Sequence, residues 1–231
     1  MKIKYINHSC FLIEINNTKI VIDPYVENEE QIKCIENSDF ALISHGHNDH
    51  TDGLKYLSKN TTIITNFELS QLLNKKFNAI SMNIGGEITF NFNGEKVVIA
   101  MVKALHTSSY IVNNHIEYGG EPCGFIIKTS KKTLYFMGDT DMFGDMKIIC
   151  DYYKPNIILM PIGNHYTMGI DKALFVINNG YIKCDYIIPM HYNLTTEKHY
   201  PIDVSKKEFE DFTKKSKIKI NKLNKLQEIE I

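Results

Sequence analysis

Four apolar stretches of this chain run directly into a histidine or an aspartate. "ALIS" ends at His45, "MVKAL" at His106, "TLYFMG" at Asp139 and "YIIPM" at His191. Short runs rich in β-branched and aromatic residues read as buried strands. Ionisable side chains are rarely buried without partners, so each of these four stands where its strand leaves the core. The repetition asks for a layered scaffold that delivers several strand ends to one edge, where loops can assemble a site.

The rest of the chain fits such a scaffold. "KIKYI", "CFLIEI", "KIVID", "FALIS" and "TTIIT" read as strands of the first half. Helices are expected over "NEEQIKCIENS", "TDGLKYLSKN" and "FELSQLLNK". Asn93-Gly94 between "ITFNF" and "KVVIAMVKAL" predicts a β-hairpin, and "CGFIIKT" with "KTLYFMGD" predicts another strand pair. Later the pattern alternates, with helices over "MFGDMKIICDYY", "DKALFVINN" and "SKKEFEDFTKKS" around strands "NIILMPIG" and "DYIIPMH". The fold class is therefore a layered α/β protein. No Pro/Gly/Ser-rich linker and no repeat divides the 231 residues, which are expected to form one domain over 1–231.

Composition narrows the function. A hydrophobic content of 43% is enough for a real core. The net charge is −1 and the chain has no arginine, so nucleic acid and anionic membrane surfaces are not the expected partners, and no guanidinium can clamp a phosphate. The five cysteines are scattered with no C-x-x-C pair, as expected of reduced core thiols. Met1 leads straight into a strand pattern, without a signal peptide or a membrane-length apolar run, so a cytoplasmic protein is expected.

"SHGHNDHTD" places His45, His47, Asp49 and His50 at i, i+2, i+4 and i+5. Alternate residues of extended backbone share a face, Gly46 allows a tight turn, and His50 can enter the helix that follows. Zinc takes imidazole and carboxylate ligands at about 2.0–2.2 Å, usually about four of them. Four side chains this close cannot all reach one ion without strain, so distant residues must complete two sets. The economical division gives His45, His47 and His106 to one ion, and Asp49, His50 and His191 to a second, with Asp139 bridging. Two ions about 3.5–4 Å apart can share a hydroxide formed near neutral pH and stabilise an oxyanion. The cofactor expected is a pair of divalent cations, zinc first, although manganese, iron and nickel accept the same donors. Alone, His106 or Asp139 is an ordinary solvated strand end. The cluster at 45–50 is what makes ligands of them.

The pattern H-x-H-x-D-H after a strand, a distant histidine, a "GDT" aspartate and a late histidine resembles the metallo-β-lactamase superfamily. Nearly the whole chain is similar to its bacterial and archaeal metal-dependent hydrolases related to ascorbate-6-phosphate lactonase. The shared stretches are "HSCFLIE", "VIDP", "SHGHNDHTDG", "GDTDMFGDM", "LMPIGNHYTMG" and "IIPMHYN". The resemblance implies an αββα sandwich of two mixed sheets flanked by helices, with the metals at one edge, and it agrees with the ligand division above. It also implies that His8 approaches the site, either supporting a metal ligand or contacting substrate, which makes it a candidate substrate-binding residue. This chain departs from the branch at Asn164, where aspartate is usual, at Ile170, where proline is usual, and in the "LTTEKHYPI" that follows "HYN". Those changes bear on the pocket wall and substrate. His165 and Tyr166 are candidate substrate-binding residues after "NIILMPIG". His115 and His199 are expected to be solvated, Thr107-Ser108-Ser109 to be turn residues, and the lysine-rich tail to be a helix end and edge strand.

The expected activity is hydrolysis of an ester, lactone or phosphoester of a small molecule by a binuclear-metal-bound hydroxide. Asp49 and His50 are the candidate catalytic residues, Asp49 orienting or deprotonating the nucleophile. Self-association into a homo-oligomer is compatible with the composition. The rivals are a mononuclear iron oxidoreductase or sulfur dioxygenase on the same fold, a nuclease, and a non-enzymatic metal sensor. The flavodiiron type would carry a carboxylate where His47 stands, which argues against it.

Overall fold

The computed structural model describes residues 1–74 and 76–231, and its strands fall into two seven-stranded sheets. In the first sheet, β1 (Lys2–Asn7), β2 (Cys10–Ile15) and β3 (Thr18–Ile22) form an antiparallel meander. β4 (Phe40–Leu42), β5 (Thr62–Asn66) and β6 (Asn78–Met82) then add in parallel. Parallel neighbours need crossover connections. α1 (Glu29–Ile35), α2 (Asn48–Thr51) and α3 (Phe67–Leu73) lie in them. The second sheet starts with β7 (Glu87–Phe92) and β8 (Glu95–Lys103), joined at Asn93-Gly94. A separate hairpin of β9 (Ser109–Val112) and β10 (His115–Tyr118) follows. The sheet resumes with β11 (Cys123–Lys128) and β12 (Thr133–Phe136), which pair antiparallel. β13 (Ile157–Pro161) and β14 (Tyr186–Met190) extend it in parallel through α4 (Met146–Tyr153) and α5 (Ile170–Asn178). Short strands β15 (Asn193–Thr195) and β16 (Asp203–Ser205) precede α6 (Lys206–Lys215). β17 (Lys219–Ile220) then pairs with β14, and β18 (Glu228–Glu230) pairs with β1.

Period-two alternation sorts the strand side chains into three cores between the four layers. From β2, Phe11, Ile13 and Ile15 enter the core between the sheets, while Cys10 and Leu12 join the cluster that includes Ile35 of α1 and Leu69 of α3. From β13, Ile157 and Leu159 face the other sheet, while Ile158 and Met160 meet Ile149 of α4 and Ala173 of α5. Strands buried on both faces need continuous apolar runs, which is why "FALIS" and "NIILM" look as they do. The αββα sandwich expected from the sequence is the fold.

Some local expectations change. "TDGLKYLSKN" is not one helix; after the single turn of α2, residues Asp52–Tyr56 continue as a 3₁₀ helix. In "MFGDMKIICDYY" the helix begins only at Met146. The β9–β10 hairpin and β6 were not anticipated, because strands this short with exposed alternate residues carry little pattern. The hairpin turns at Asn113-Asn114, both with positive φ, which asparagine tolerates. Cys10, Cys123 and Cys150 are buried, Cys34 and Cys184 partly so, and all five are free. Among the described residues no helix is long and apolar enough to cross a membrane.

Candidate metal centre

β12, β13 and β14 run parallel, and β8 is antiparallel to β11, which is itself antiparallel to β12. β8, β12 and β14 therefore point the same way, so His106, Asp139 and His191 emerge at one edge. From the other sheet β4 leads through Ser44 to His45, His47 caps α2, and Asp49 and His50 lie in the helix. His191 sits at φ 56°, with its N–H donating to the His8 carbonyl at 3.1 Å. Gly163 lies against it: a Cβ there would collide with the His191 carbonyl oxygen and stand 2.7 Å from its Nδ1. Thr140 ties two of the strand ends together, because its hydroxyl accepts the Leu105 N–H beside His106 at 2.9 Å.

Six of the seven candidate ligands come together in two groups, the second joined by His8. His45, His47 and His106 form one, while His8, Asp49, His50 and His191 form the other, the donor atoms of each group lying within 4.8 Å of one another. Asp139 Oδ2 lies between them, 3.8 Å from His106 Nε2, 3.3 Å from His50 Nε2 and 2.9 Å from His191 Nε2. His8 approaches through Nε2, 3.1 Å from Asp49 Oδ2, from a turn held at φ 53°.

One residue the sequence reading passed over organises both groups. Asp23, at the end of β3, is fully buried. Its Oδ1 accepts the Ser44 N–H at 2.7 Å, and its Oδ2 accepts the Ser44 hydroxyl at 2.5 Å and His50 Nδ1–H at 2.7 Å. Ser44 has one hydroxyl proton and gives it to Asp23, so the 2.9 Å contact with His45 Nδ1 has the imidazole as donor. His45 thus carries its proton on Nδ1 and turns a bare Nε2 toward the site, while Asp23 holds the Nδ1–H of His50 and leaves its Nε2 as the atom at which a metal ion would replace a proton. Its signals in sequence were an aspartate closing an apolar strand in "KIVIDP" and the presence of "VIDP" among the shared stretches.

The electrostatics suit a cation. Burial, their largest influence, holds His45 well below the ordinary imidazole range and lowers His47 and His106, leaving neutral rings with free lone pairs. For His50 burial opposes charge, but the Asp139 and Asp23 carboxylates on either side outweigh it and carry the ring well above its usual range. Burial likewise opposes ionisation of Asp139, yet His50 and His191 hold it well below the usual carboxylate range. The same negative potential attracts a divalent ion.

The donor geometry tests the fit. His50 Nε2, Asp139 Oδ1 and both ring nitrogens of His191 are buried without any hydrogen-bond partner, although His191 Nε2 is only 2.9 Å from Asp139 Oδ2. Orphaned buried polar atoms are costly, and here the Nε2 atoms of His50 and His191 both stand beside Asp139 Oδ2 without an aligned hydrogen bond. Two ligands of a tetrahedral zinc ion stand roughly 3.3 Å apart, given bonds near 2.0–2.1 Å. His45 Nε2 and His47 Nδ1 are 3.0 Å apart, and His50 Nε2 and Asp139 Oδ2 are 3.3 Å apart. The residues present fit metal ions.

A cavity of about 530 Å³ opens onto this cluster. Asn48, Thr107, Ser109, Ile111, Ile116 and Tyr166 line it beside the ligands. Tyr166 therefore reaches the pocket, whereas His165 is exposed outside it, its ring edge-on to Tyr166 at 4.6 Å. Asn164 and Ile170 line a different cavity next to α5 and α6, so those departures leave this pocket wall untouched. The expected turn at 107–109 is instead the lead into β9, which starts at Ser109; there the buried Ser108 hydroxyl accepts the Gly46 N–H at 3.2 Å and donates to the Gly119 carbonyl at 2.9 Å. His115 and His199 are exposed.

Comparison with known proteins agrees with this geometry. A family model described as "Beta-lactamase superfamily domain" matches residues 2–191. A metal-dependent hydrolase of Methanosphaera stadtmanae is 38% identical over 221 residues, covering 91% of this chain and 92% of the relative. One from Nanoarchaeum equitans is 41% identical over 197 residues, 84% of each chain. Among solved structures, a metallo hydrolase from the hyperthermophilic archaeon Ignicoccus hospitalis superposes with a TM-score of 0.82 at 29% identity, over 99% of this chain and 97% of that one.

Proposed function

The chain belongs to the metallo-β-lactamase superfamily and is a metal-dependent hydrolase, and from that premise we propose that it uses two divalent cations, zinc foremost, to hydrolyse an ester, lactone or phosphoester of a small molecule. His45, His47 and His106 would hold one ion, Asp49, His50 and His191 the other, and Asp139 both. When bound, such ions supply Lewis acidity toward the substrate oxygen and make water nucleophilic near neutral pH. The observation that carries the reading is that the buried, unpartnered Nε2 atoms of His50 and His191 meet at Asp139 Oδ2.

The protein's own side chains do the remaining work. Burial opposes the charge of Asp49, but the His8 hydrogen bond and nearby His50 lower its pKa, so the carboxylate is ionised at the cavity wall. There it can accept a proton from the attacking water and return it to the leaving oxygen. His50 acts by holding its Nε2 toward Asp139 while Asp23 fixes the ring. Thr107 and Ser109 offer hydroxyls, and Asn48 an amide, to polar atoms of the substrate. A cavity of about 530 Å³ suits a small molecule.

Metal analysis of purified protein, paired with a panel of lactones, phosphodiesters and acyl esters, tests this. Two equivalents of transition metal and chelator-sensitive turnover are expected. Protein that carries no transition metal, together with an Asp139→Ala variant that behaves like the parent, would refute it.

A further inference from the structure

We propose, resting on the hydrolase reading above, that the substrate is an uncharged carbonyl ester or lactone with an apolar arm, and that Ile111, Ile116 and Tyr166 hold that arm. The reaction needs only water as co-reactant: water oxygen bonds to the carbonyl carbon, the C–O bond breaks, and a carboxylic acid and an alcohol form.

The first argument is the hairpin. Ile111 of β9 and Ile116 of β10 are directly opposed, as are Ser109 and Tyr118 two positions along, so these four share one face. Ser109, Ile111 and Ile116 from that face all line the cavity that holds the metal cluster. Ile111 is 49% exposed, Ile116 77% and Tyr166 57%. Side chains that exposed add little to the fold, and at the wall of a reactive cavity they offer a greasy surface to whatever enters.

The second argument is that the hairpin's placement is built in. Tyr110, on its opposite face, packs against the core cluster that contains Ile43 and Leu69. At its base the Asn66 amide donates to the carbonyls of Gly119 at 2.8 Å and Glu121 at 3.1 Å, and Ser108 clips Gly46 to Gly119. Gly46 admits the strand so closely that a Cβ there would stand 2.6 Å from the Ser109 carbonyl oxygen. The apolar face is therefore fixed over the "SHGHNDH" loop.

The third argument is charge. Among the described residues no lysine lines the cavity, and the chain has no arginine, while Asp49 and Asp139 both face it. Asp49 and Asp139 would already neutralise part of the charge of the metal ions, and a phosphate monoester would find no lysine or arginine at the wall to hold its remaining oxygens. A neutral carbonyl group has no such need.

The test uses metal-loaded protein with p-nitrophenyl acetate, butyrate and hexanoate, against p-nitrophenyl phosphate and its diester. Catalytic efficiency (kcat/KM) should rise roughly two- to fourfold per methylene along the ester series and exceed that for both phosphates. The Ile111→Ser/Ile116→Ser double variant should flatten the series, whereas Ile148→Ser, an exposed position on α4, should keep the slope. Melting temperatures check that each variant is folded. A flat series in the parent, a slope that survives in the double variant, or faster phosphate turnover overturns the proposal. So does a double variant that changes only the mass in solution, since the patch would then be a contact between copies of the chain. Calorimetric binding of n-alkyl hydroxamates, from acetyl to octanoyl, separates this idea from the hydrolase reading. If no ester or phosphate, and no lactone of the panel above, is turned over, that reading fails, yet affinity that climbs with tail length and flattens in the double variant still supports the apolar wall. Affinity independent of tail length sinks it.

Discussion

Asp23→Asn should disarm His50 while leaving the fold intact. The Ser44 backbone N–H cannot turn around, so the new amide oxygen must stay at the Oδ1 position, 2.7 Å from that nitrogen. The amide nitrogen then replaces Oδ2 and faces the Ser44 hydroxyl and His50 Nδ1, both of which now have to accept. Ser44 can rotate its hydroxyl toward His45 Nδ1, 2.9 Å away, but only if that imidazole also moves its proton to Nε2 and so loses its own lone pair toward the site. His50 can comply only by moving its own proton to Nε2, where it blocks the lone pair facing Asp139. Because every partner is re-satisfied, metal-free stability should fall by less than the about 1–3 kcal/mol expected for an orphaned buried donor. Metal affinity should fall roughly 10- to 100-fold, or about 1.4–2.7 kcal/mol, as for other residues that orient metal ligands. Competition with a chromogenic chelator gives the affinity, thermal melting of the metal-free protein gives the stability, and nitrogen NMR of the imidazoles gives the tautomer. Unchanged affinity for two equivalents, with His50 still protonated on Nδ1, would refute the reasoning.

Three further outcomes are expected. Gly163→Ala should displace His191, because the added methyl collides with its carbonyl oxygen; metal stoichiometry should drop toward one equivalent, and elemental analysis of folded protein checks this. Asp139→Ala removes the carboxylate shared by both groups, so turnover should fall at least about 100-fold and both ions should dissociate more readily, as kinetics and dialysis against chelator would show. His8→Ala frees Asp49 of its 3.1 Å contact and should raise the Asp49 pKa in metal-free protein, because one interaction that lowers it is lost; a carbon NMR titration of the carboxylate that shows no upward shift would contradict it.

What the sequence disclosed and what it hid follow from how each feature is encoded. His45, His106, Asp139 and His191 were visible because a ligand-type residue directly after an apolar strand is a local contrast. Their convergence then followed from strand direction. Asp23 carries the same contrast, but its partners lie 21 and 27 positions away, and nothing local says which way its carboxylate turns. The β9–β10 hairpin stayed hidden because its strands are four residues long and largely exposed, so no period-two pattern develops. His165 and Tyr166 looked equivalent as neighbours after β13, yet the turn sends only the tyrosine to the cavity.

The two groups of donors also have a mechanical meaning. His45 and His47 come from the first sheet and His106 from the second; Asp49 and His50 come from the first sheet and His191 and Asp139 from the second. A cation in either group would rivet the sheets together at their open edge, on top of the side chains packed between them. Binding free energy of that kind is folding free energy: a ligand at 100 times its dissociation constant adds about 2.7 kcal/mol of stability. The melting point of this protein is therefore expected to report the metal supply of its surroundings, and starvation for metal would loosen the sandwich first at the edge where its chemistry is done.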